Sequence, residues 1–249
     1  HIYYHGTCYS PDDAAWPGWL FYASTEMNPR NPIWHDVSAV NEYIARCQYF
    51  LQQGKPDNDI LLYWPIADFW SSPQGRLQRM AVSATDWFEN QSIGRTAREL
   101  WNSGYAFDYI SDAQLKKAKA ADGQIQVPGG KYHVILVPEC KLMPLETLNQ
   151  LLALAKNGAT IIFDKQLPSD IPGLGGLASN RAKFKKLLAQ IQTGSQSFGK
   201  GKIMIGSLET TLAPANLQER LAANGHLSYV RRSFASGWDY FIANRTDMN

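Results

Sequence analysis

Short apolar runs alternate with amphipathic stretches through the middle of the chain. Five runs are rich in Ile, Leu, Val and Phe, at residues 60–64, 106–110, 133–137, 159–163 and 202–205. Continuous apolar runs of this length are typical of parallel strands buried on both faces. Helical patterns lie between them, at residues 86–102, 113–120, 144–154 and 181–191. The alternation predicts a right-handed series of strand–helix–strand units, in a doubly wound, flavodoxin-like α/β fold.

The two ends of the chain have different patterns. Residues 1–35 are rich in turn-forming residues after a β-like run at residues 2–4, and a helical pattern follows from Asp36 to Gly54. Residues 226–249 contain two β-like runs, which predict a hairpin. We therefore expect three parts, at residues 1–56, 57–225 and 226–249.

Composition excludes several classes of function. A formal net charge of +2 gives no basic field for nucleic acid, so we expect no nucleic-acid partner. No apolar run approaches the ~18 residues that a membrane span requires. The cysteines, Cys8, Cys47 and Cys140, are odd in number and far apart, which argues against a disulfide framework.

The glycines do not predict a nucleotide site. Phosphate-binding turns need glycines at fixed spacings, such as G-x-G-x-x-G after the first strand. The glycine-rich stretch at residues 171–180, IPGLGGLASN, precedes a predicted helix but lacks that spacing. A structural use of the fold is the favoured interpretation.

Cys140 is a candidate nucleophile because it follows the third core strand. A nucleophilic cysteine at such a strand-to-helix elbow needs flanking glycines, whereas this chain has Glu139 and Lys141 there. His133 is the nearest histidine in sequence. An inert, buried cysteine is favoured, and for Asp108 and Asp112 we favour turn chemistry, with helix capping at Asp112.

The clearest candidate binding residues lie near the start of the chain. His5, Tyr9, Trp16 and Trp19 follow the first β-like run within a proline-rich loop. Aromatic rings can pack on the apolar faces of sugar rings, and histidine can hydrogen-bond their hydroxyls. The same aromatic residues could instead pack the junction between two domains, and the sequence leaves both interpretations open.

Several long motifs resemble glycoside hydrolase family 106, the α-L-rhamnosidases. They are HGTCYSP (residues 5–11), RCQYFLQQGKPDND (residues 46–59) and GYAFDYISD (residues 104–112). The later part, including GATIIFDKQLPSDIPG (residues 158–173), resembles the amidotransferase-like domain that follows the catalytic barrel in such enzymes.

The resemblance implies a concrete function. Family members have a (β/α)₈ barrel and cleave terminal α-L-rhamnosyl linkages with inversion, using two glutamates and a bound calcium ion. By this resemblance, residues 1–56 would be the end of the barrel, and the catalytic glutamates would precede His1. His5, Tyr9, Trp16 and Trp19 would line the sugar-binding face.

The sequence therefore predicts an internal fragment of an exo-acting glycosidase with a carbohydrate substrate. The fragment alone is expected to be inactive, because it lacks most of the barrel. The family implies a periplasmic or extracellular location; no oligomeric state, calcium ligand or specific sugar is assigned. The alternative is a non-catalytic α/β module that serves as a scaffold or oligomerisation contact.

Overall fold

The computed structural model describes residues 2–77, 80–81 and 84–247, without the side chains of Gln74 and Arg76. The chain forms two compact units, His1–Gly54 and Lys55–Asn249. Among the described helices, none combines the length and apolar character needed to cross a bilayer.

The first unit contains the predicted helix. A 3₁₀ turn, Pro32–Asp36, leads into α1 (Val37–Gln52). The Asn31 side chain caps the turn by accepting a hydrogen bond from the Ile33 amide at 3.1 Å. Gly54 has a φ of +60°, a conformation that glycine adopts without steric cost, so the chain leaves the helix there.

The β-like run at residues 2–4 does not form a strand. His1 lies outside the described residues, and residues 2–4 are outside any strand and exposed. No strand is formed within described residues 2–54, so this run has no neighbouring ladder inside its unit. Instead the Tyr4 hydroxyl donates a hydrogen bond to Asn41 Oδ1 at 2.6 Å.

The second unit holds all the described strands and the remaining helices. Its strands are β1 (Lys55–Pro56), β2 (Ile60–Tyr63), β3 (Phe107–Ile110), β4 (Lys119–Ala121), β5 (Gln124–Val127), β6 (Gly130–Tyr132), β7 (Val134–Val137), β8 (Thr160–Asp164), β9 (Ser195–Phe198), β10 (Gly201–Gly206), β11 (Leu227–Phe234) and β12 (Gly237–Asn244). Its helices are α2 (Ile66–Ser71), α3 (Pro73–Leu77), α4 (Asp86–Glu89), α5 (Ser92–Asn102), α6 (Asp112–Leu115), α7 (Leu145–Lys156), α8 (Leu177–Leu188) and α9 (Leu208–Leu212). Short 3₁₀ turns follow at Ala213–Ala215 and Arg220–Ala222.

A mixed sheet of six described strands forms the centre of this unit, in the order β3-β2-β7-β8-β10-β9. The first five strands in this order are parallel, and β9 is an antiparallel edge strand. The five apolar runs are therefore confirmed as parallel strands; β2, β7 and β8 lie in the core, whereas β3 is an edge strand with only Ile110 buried. Counting only the parallel strands along the chain, their spatial order is 2-1-3-4-5, so the order reverses between β2 and β7.

Both faces of the central strands are buried. On one face their side chains pack with α7, α8 and the β5 strand, and the core there is formed by Leu61, Tyr63, Ile135, Val137, Leu148, Leu151, Ile161, Phe163 and Phe184. On the other face the cover comes from α5 and α9, and the core contains Ile60, Leu62, Ile93, Leu100, Val134, Leu136, Ile162, Leu208 and Leu212. Burial on two sides explains why these strands read as continuous apolar runs.

Three helix predictions need correction. The helix predicted at 86–102 is two helices, α4 and α5, separated by Asn90 and Gln91. The helix predicted at 113–120 is only the single turn α6, because residues 119–121 form β4 instead. The helix predicted at 181–191 lies earlier, at Leu177–Leu188.

Two small sheets complete the unit. Strands β4, β5 and β6 form an antiparallel meander that the sequence pattern did not predict. The predicted C-terminal hairpin is confirmed as β11 and β12, and β11 also pairs with β1. The Arg231 guanidinium of this hairpin binds Asp57 at 2.7 Å and both carboxylate oxygens of Asp59 at 2.9 Å. This largely buried ion pair fixes the hairpin beside the amino end of β2.

Asp164, the last residue of β8, has a buried carboxyl group with an incomplete set of hydrogen bonds. It is 4% exposed, and its Oδ1 atom has no hydrogen-bond partner within the described chain. Burial raises its pKa; the neighbouring Lys165 partly opposes this shift, and Glu99 and Glu139 add to it. The folded protein therefore keeps a proton that the unfolded chain releases above about pH 4.

We expect the free energy of unfolding to fall as pH rises from about 4 through the elevated pKa of Asp164. Asp164→Asn should remove that pH dependence and stabilise the protein at pH 7 by about 1–2 kcal/mol, because no charge is buried. Urea unfolding followed at several pH values measures both effects. Asp239→Asn, at an exposed carboxylate, is the matched control; an equal gain there would contradict this explanation.

Candidate functional site

A hydrogen-bonded loop carries the four predicted sugar-binding residues. The Arg30 side chain lies inside this loop and donates to the Ala14 carbonyl at 3.2 Å and the Pro11 carbonyl at 3.0 Å. In return, the Trp16 indole nitrogen donates to the Arg30 carbonyl at 3.0 Å. We call residues 5–22 the aromatic loop. These contacts hold its backbone from within.

Glu26 fixes the second half of the loop. Its carboxylate accepts hydrogen bonds from the Phe21 amide at 3.1 Å and from the Asn28 side chain at 3.2 Å. Its backbone has a φ of +47°, a region that non-glycine residues rarely occupy. Asn31 stabilises this turn by donating to the Glu26 carbonyl at 3.0 Å. The carboxylate of Glu26 is thus occupied with loop structure.

The large side chains of the aromatic loop point to solvent. Tyr9, Trp16 and Trp19 are 80%, 70% and 60% exposed. His5 is also exposed, and its ring packs edge-on against Phe21 with centroids 5.7 Å apart. Gly18 permits the tight turn between the two tryptophans, since a Cβ there would lie 2.6 Å from Ser10 Oγ. The result is a loop with internal hydrogen bonds that presents exposed aromatic rings, as stacking on a sugar requires.

A second candidate site is the crevice at the carboxyl end of the parallel sheet. In open α/β sheets, ligands bind where the strand order reverses, which here is between β2 and β7. A cavity of about 330 Å³ lies at this point. Its lining includes Asp68 after β2, Glu139, Cys140 and Lys141 after β7, and Arg95 from α5.

The polar groups of this crevice are committed to structure. The carboxylate of Asp68 accepts hydrogen bonds from the backbone amides of Lys141 at 2.7 Å and Leu142 at 2.6 Å. Glu139 accepts one from the Gln166 side chain at 2.9 Å. Asp68 therefore joins the turn after β2 to the turn after β7, and its carboxylate is already bound.

Cys140 is buried, as the sequence interpretation expected. It is 3% exposed, and burial raises the pKa of its thiol, with Asp68, Asp112 and Glu139 acting in the same direction. His133 cannot serve as its base, because the whole length of β7, about 13 Å, separates the two residues. An uncharged thiol without a base is not a nucleophile.

The two aspartates that the sequence singled out are hydrogen-bond acceptors. Asp108 accepts from the Tyr132 hydroxyl at 2.7 Å and from Asn58 at 2.9 Å. Asp112 accepts from the buried Tyr63 hydroxyl at 2.8 Å and also binds Thr147. The expectation that Asp112 caps its helix is wrong, because Ser111 is the N-cap and forms a capping box with Gln114.

Within residues 2–77, 80–81 and 84–247, no three His, Cys, Asp or Glu side chains come together in a way that could hold a metal ion.

We expect Asp68→Ala to lower the free energy of unfolding by about 2–3 kcal/mol, because two backbone amides lose a charged acceptor. Asp68→Asn keeps one acceptor oxygen and should cost less. Thermal or urea unfolding measures the difference. Equal stability of Asp68→Ala and the parent chain would contradict the structural role of this carboxylate.

Thiol labelling at pH 8 tests the state of Cys140. Cys8 and Cys47 are partly exposed and should react with a disulfide reagent in the folded protein, whereas Cys140 should react only after unfolding. A folded Cys140→Ser variant should therefore keep every fast-reacting thiol. Loss of a fast thiol in this variant would show a reactive Cys140.

Comparison with known proteins gives the family. The family model described as alpha-L-rhamnosidase, glycoside hydrolase family 106, matches residues 1–249. A curated protein of Formosa agariphila named "Putative beta-glucuronidase" is 29% identical over 250 residues, which are 97% of this chain and 19% of that protein.

Solved structures share the fold. A rhamnosidase from Novosphingobium sp. PP1Y has a TM-score of 0.63 at 18% identity, over 89% of this chain and 20% of that one. The family 42 β-galactosidase Gan42B from G. stearothermophilus has a TM-score of 0.52 at 13% identity, over 89% of this chain and 39% of that one. The chain thus spans about a fifth of the length of the Formosa and Novosphingobium proteins. Since the family model covers residues 1–249, the chain belongs to glycoside hydrolase family 106, the α-L-rhamnosidase family.

Proposed function

We propose that the complete protein is an inverting exo-α-L-rhamnosidase that acts on polysaccharide, and that this chain supplies part of its sugar-binding surface and a structural α/β domain. The observation that carries the proposal is the match of the α-L-rhamnosidase family model to residues 1–249.

The aromatic loop is the proposed sugar-binding element. Three features support this role: exposed rings at Tyr9, Trp16 and Trp19, an adjacent His5, and a loop backbone fixed by Arg30. Because hydrogen bonds already fix the loop backbone, the loop loses less conformational entropy when a sugar packs on its rings, and this favours binding. His5 adds a hydrogen-bonding group beside the rings.

The catalytic groups are proposed to lie in other parts of the complete protein. Inversion needs two carboxyl groups about 6.5–9.5 Å apart with a water between them. Glu26, which follows the aromatic loop, uses its carboxylate for loop structure. The calcium ligands are also proposed to lie in other parts of the complete protein. The described residues of this chain contain no cluster of three His, Cys, Asp or Glu side chains that could hold a metal ion.

The α/β unit is proposed to be a flavodoxin-like, amidotransferase-like scaffold that follows the barrel. The 2-1-3-4-5 order of its parallel strands supports this assignment. A non-catalytic role is favoured by the carboxyl-end crevice, where Asp68 is bound to backbone and Cys140 is buried. A periplasmic or extracellular location would bring the enzyme to its polysaccharide.

Glucuronoside cleavage is the second candidate activity. It is favoured by one observation, the 29% identity with the Formosa agariphila protein named "Putative beta-glucuronidase". A uronic acid carries a carboxylate that a rhamnoside lacks, so the two substrates need different charged groups in the site.

Release of the aryl group from an aryl α-L-rhamnoside by the complete protein tests the proposal directly. We expect chelator-sensitive release with the rhamnoside, little with an aryl β-D-glucuronide, and none from the 249-residue chain alone. Preference for the glucuronide would replace the first candidate with the second.

In the complete enzyme, Trp16→Ala and Trp19→Ala should each lower kcat/KM about tenfold, because the sugar loses a stacking surface. Phenylalanine at either position should restore part of the loss. Tyr49→Ala removes an exposed ring from α1 and is the matched control. Unchanged kcat/KM in both tryptophan variants would exclude the aromatic loop from substrate binding.

A further inference from the structure

A cavity beside β3 differs in chemistry from the crevice at the carboxyl end of the sheet. Its volume is about 280 Å³, near the lower end of ligand-binding pockets. It is formed by the edge strand β3, Trp101 of α5, Tyr105 and residues 228–230 of β11. We call it the β3 cavity. All its lining residues belong to the second unit.

Trp101 provides an aromatic wall that is already fixed. Its side chain is 50% exposed, and the Arg245 guanidinium lies over the ring, 5.6 Å from the centroid. Arg245 is itself held by a hydrogen bond to Asn102 Oδ1 at 3.3 Å. The cation–π contact with Arg245 helps to hold the indole in place.

Tyrosine and phenylalanine rings supply the rest of the walls. Tyr109 packs edge-on against Phe107 and Phe88, with centroids 5.5 and 5.8 Å apart, and remains 45% exposed. Tyr229 is anchored by a hydrogen bond from its hydroxyl to the Gly104 carbonyl at 3.3 Å. The rings are therefore held in place without a ligand.

Several solvent-accessible polar groups at the cavity are available to a ligand. The hydroxyls of Tyr105, Tyr109 and Ser228, and the amide oxygen of Asn58, have no hydrogen-bond partner within the described chain. Hydroxyls can donate and accept, and an amide oxygen accepts. Together with the rings, they form the combination that a neutral, hydroxyl-rich ring requires.

Charge argues against an ionic ligand. Asp108 is the one charged residue among those that line the described cavity, and its Oδ2 atom already accepts from Asn58 and Tyr132. The carboxyl-end crevice, by contrast, is lined by Asp68, Arg95, Glu139 and Lys141.

We propose that the β3 cavity is a binding site for a single neutral sugar ring, stacked on Trp101 and hydrogen-bonded by Ser228, Asn58 and the two tyrosine hydroxyls. The proposal rests on the proposed function only for the choice of a sugar. It uses residues different from those of the aromatic loop.

Saturation-transfer NMR with the 249-residue chain tests the site. The probes are methyl α-L-rhamnoside, methyl β-D-galactoside and the charged methyl β-D-glucuronide. We expect at least one neutral glycoside to bind, and Trp101→Ala to weaken that binding about tenfold. Trp101→Phe should keep most of it. Trp238→Ala, at an exposed tryptophan of β12, should leave it unchanged.

Two further variants separate the sources of a signal. Ser228→Val removes a cavity hydroxyl within a strand that tolerates valine, so it reports on the cavity even if Trp101→Ala misfolds. Trp16→Ala removes a ring of the aromatic loop instead. Loss of the signal in Trp16→Ala but not in the cavity variants would overturn the proposal.

Absence of binding by every neutral glycoside, or stronger binding of the glucuronide, would also overturn it. Because the assay detects binding without hydrolysis and includes a galactoside, failure of the rhamnosidase assignment would not change its outcome.

Discussion

Burial of the central strands on both faces is the constraint on which the rest of the second unit depends. β2, β7 and β8 expose almost no side-chain surface, so each face of the sheet needs an apolar cover. Helices α7 and α8 provide it on one face, and α5 and α9 on the other. The position of α5 in turn places Trp101 beside β3, where the aromatic cavity forms.

The same arrangement explains why the usual ligand site of an α/β sheet carries little chemistry here. At the reversal of strand order, Asp68 binds the backbone of the turn after β7, and Cys140 is packed in the core. The carboxylate of Asp68 therefore has a structural role in this turn. The exposed groups that could bind a sugar are instead the aromatic rings of residues 5–22 and of the β3 cavity.

Sequence reasoning succeeded where apolar continuity carries the signal. The central strands were predicted because burial on both faces requires continuous apolar runs, whereas the helical spacing predicted α1 and the β-like runs predicted the C-terminal hairpin. The β4–β6 meander was missed because its strands are short and mix polar with apolar residues, and Asn90 ended a helix that periodicity alone would continue. The β-like run at residues 2–4 forms no strand, because pairing depends on a neighbour that local sequence does not reveal.

The candidate sites divide in the same way. Cys140 could be judged inert from its neighbours, because a missing glycine is a local fact. The hydrogen bond between Asp68 and the Lys141 amide joins residues that are distant in sequence, and so does the lining of the β3 cavity by Trp101 and Ser228. No sequence pattern predicts such long-range contacts.

The most direct measurement of the whole account is a crystal structure of the complete enzyme with bound L-rhamnose. The account predicts sugar against Trp16 and Trp19 of the aromatic loop or in the β3 cavity. Sugar in the carboxyl-end crevice beside Cys140, with neither aromatic surface occupied, would contradict it.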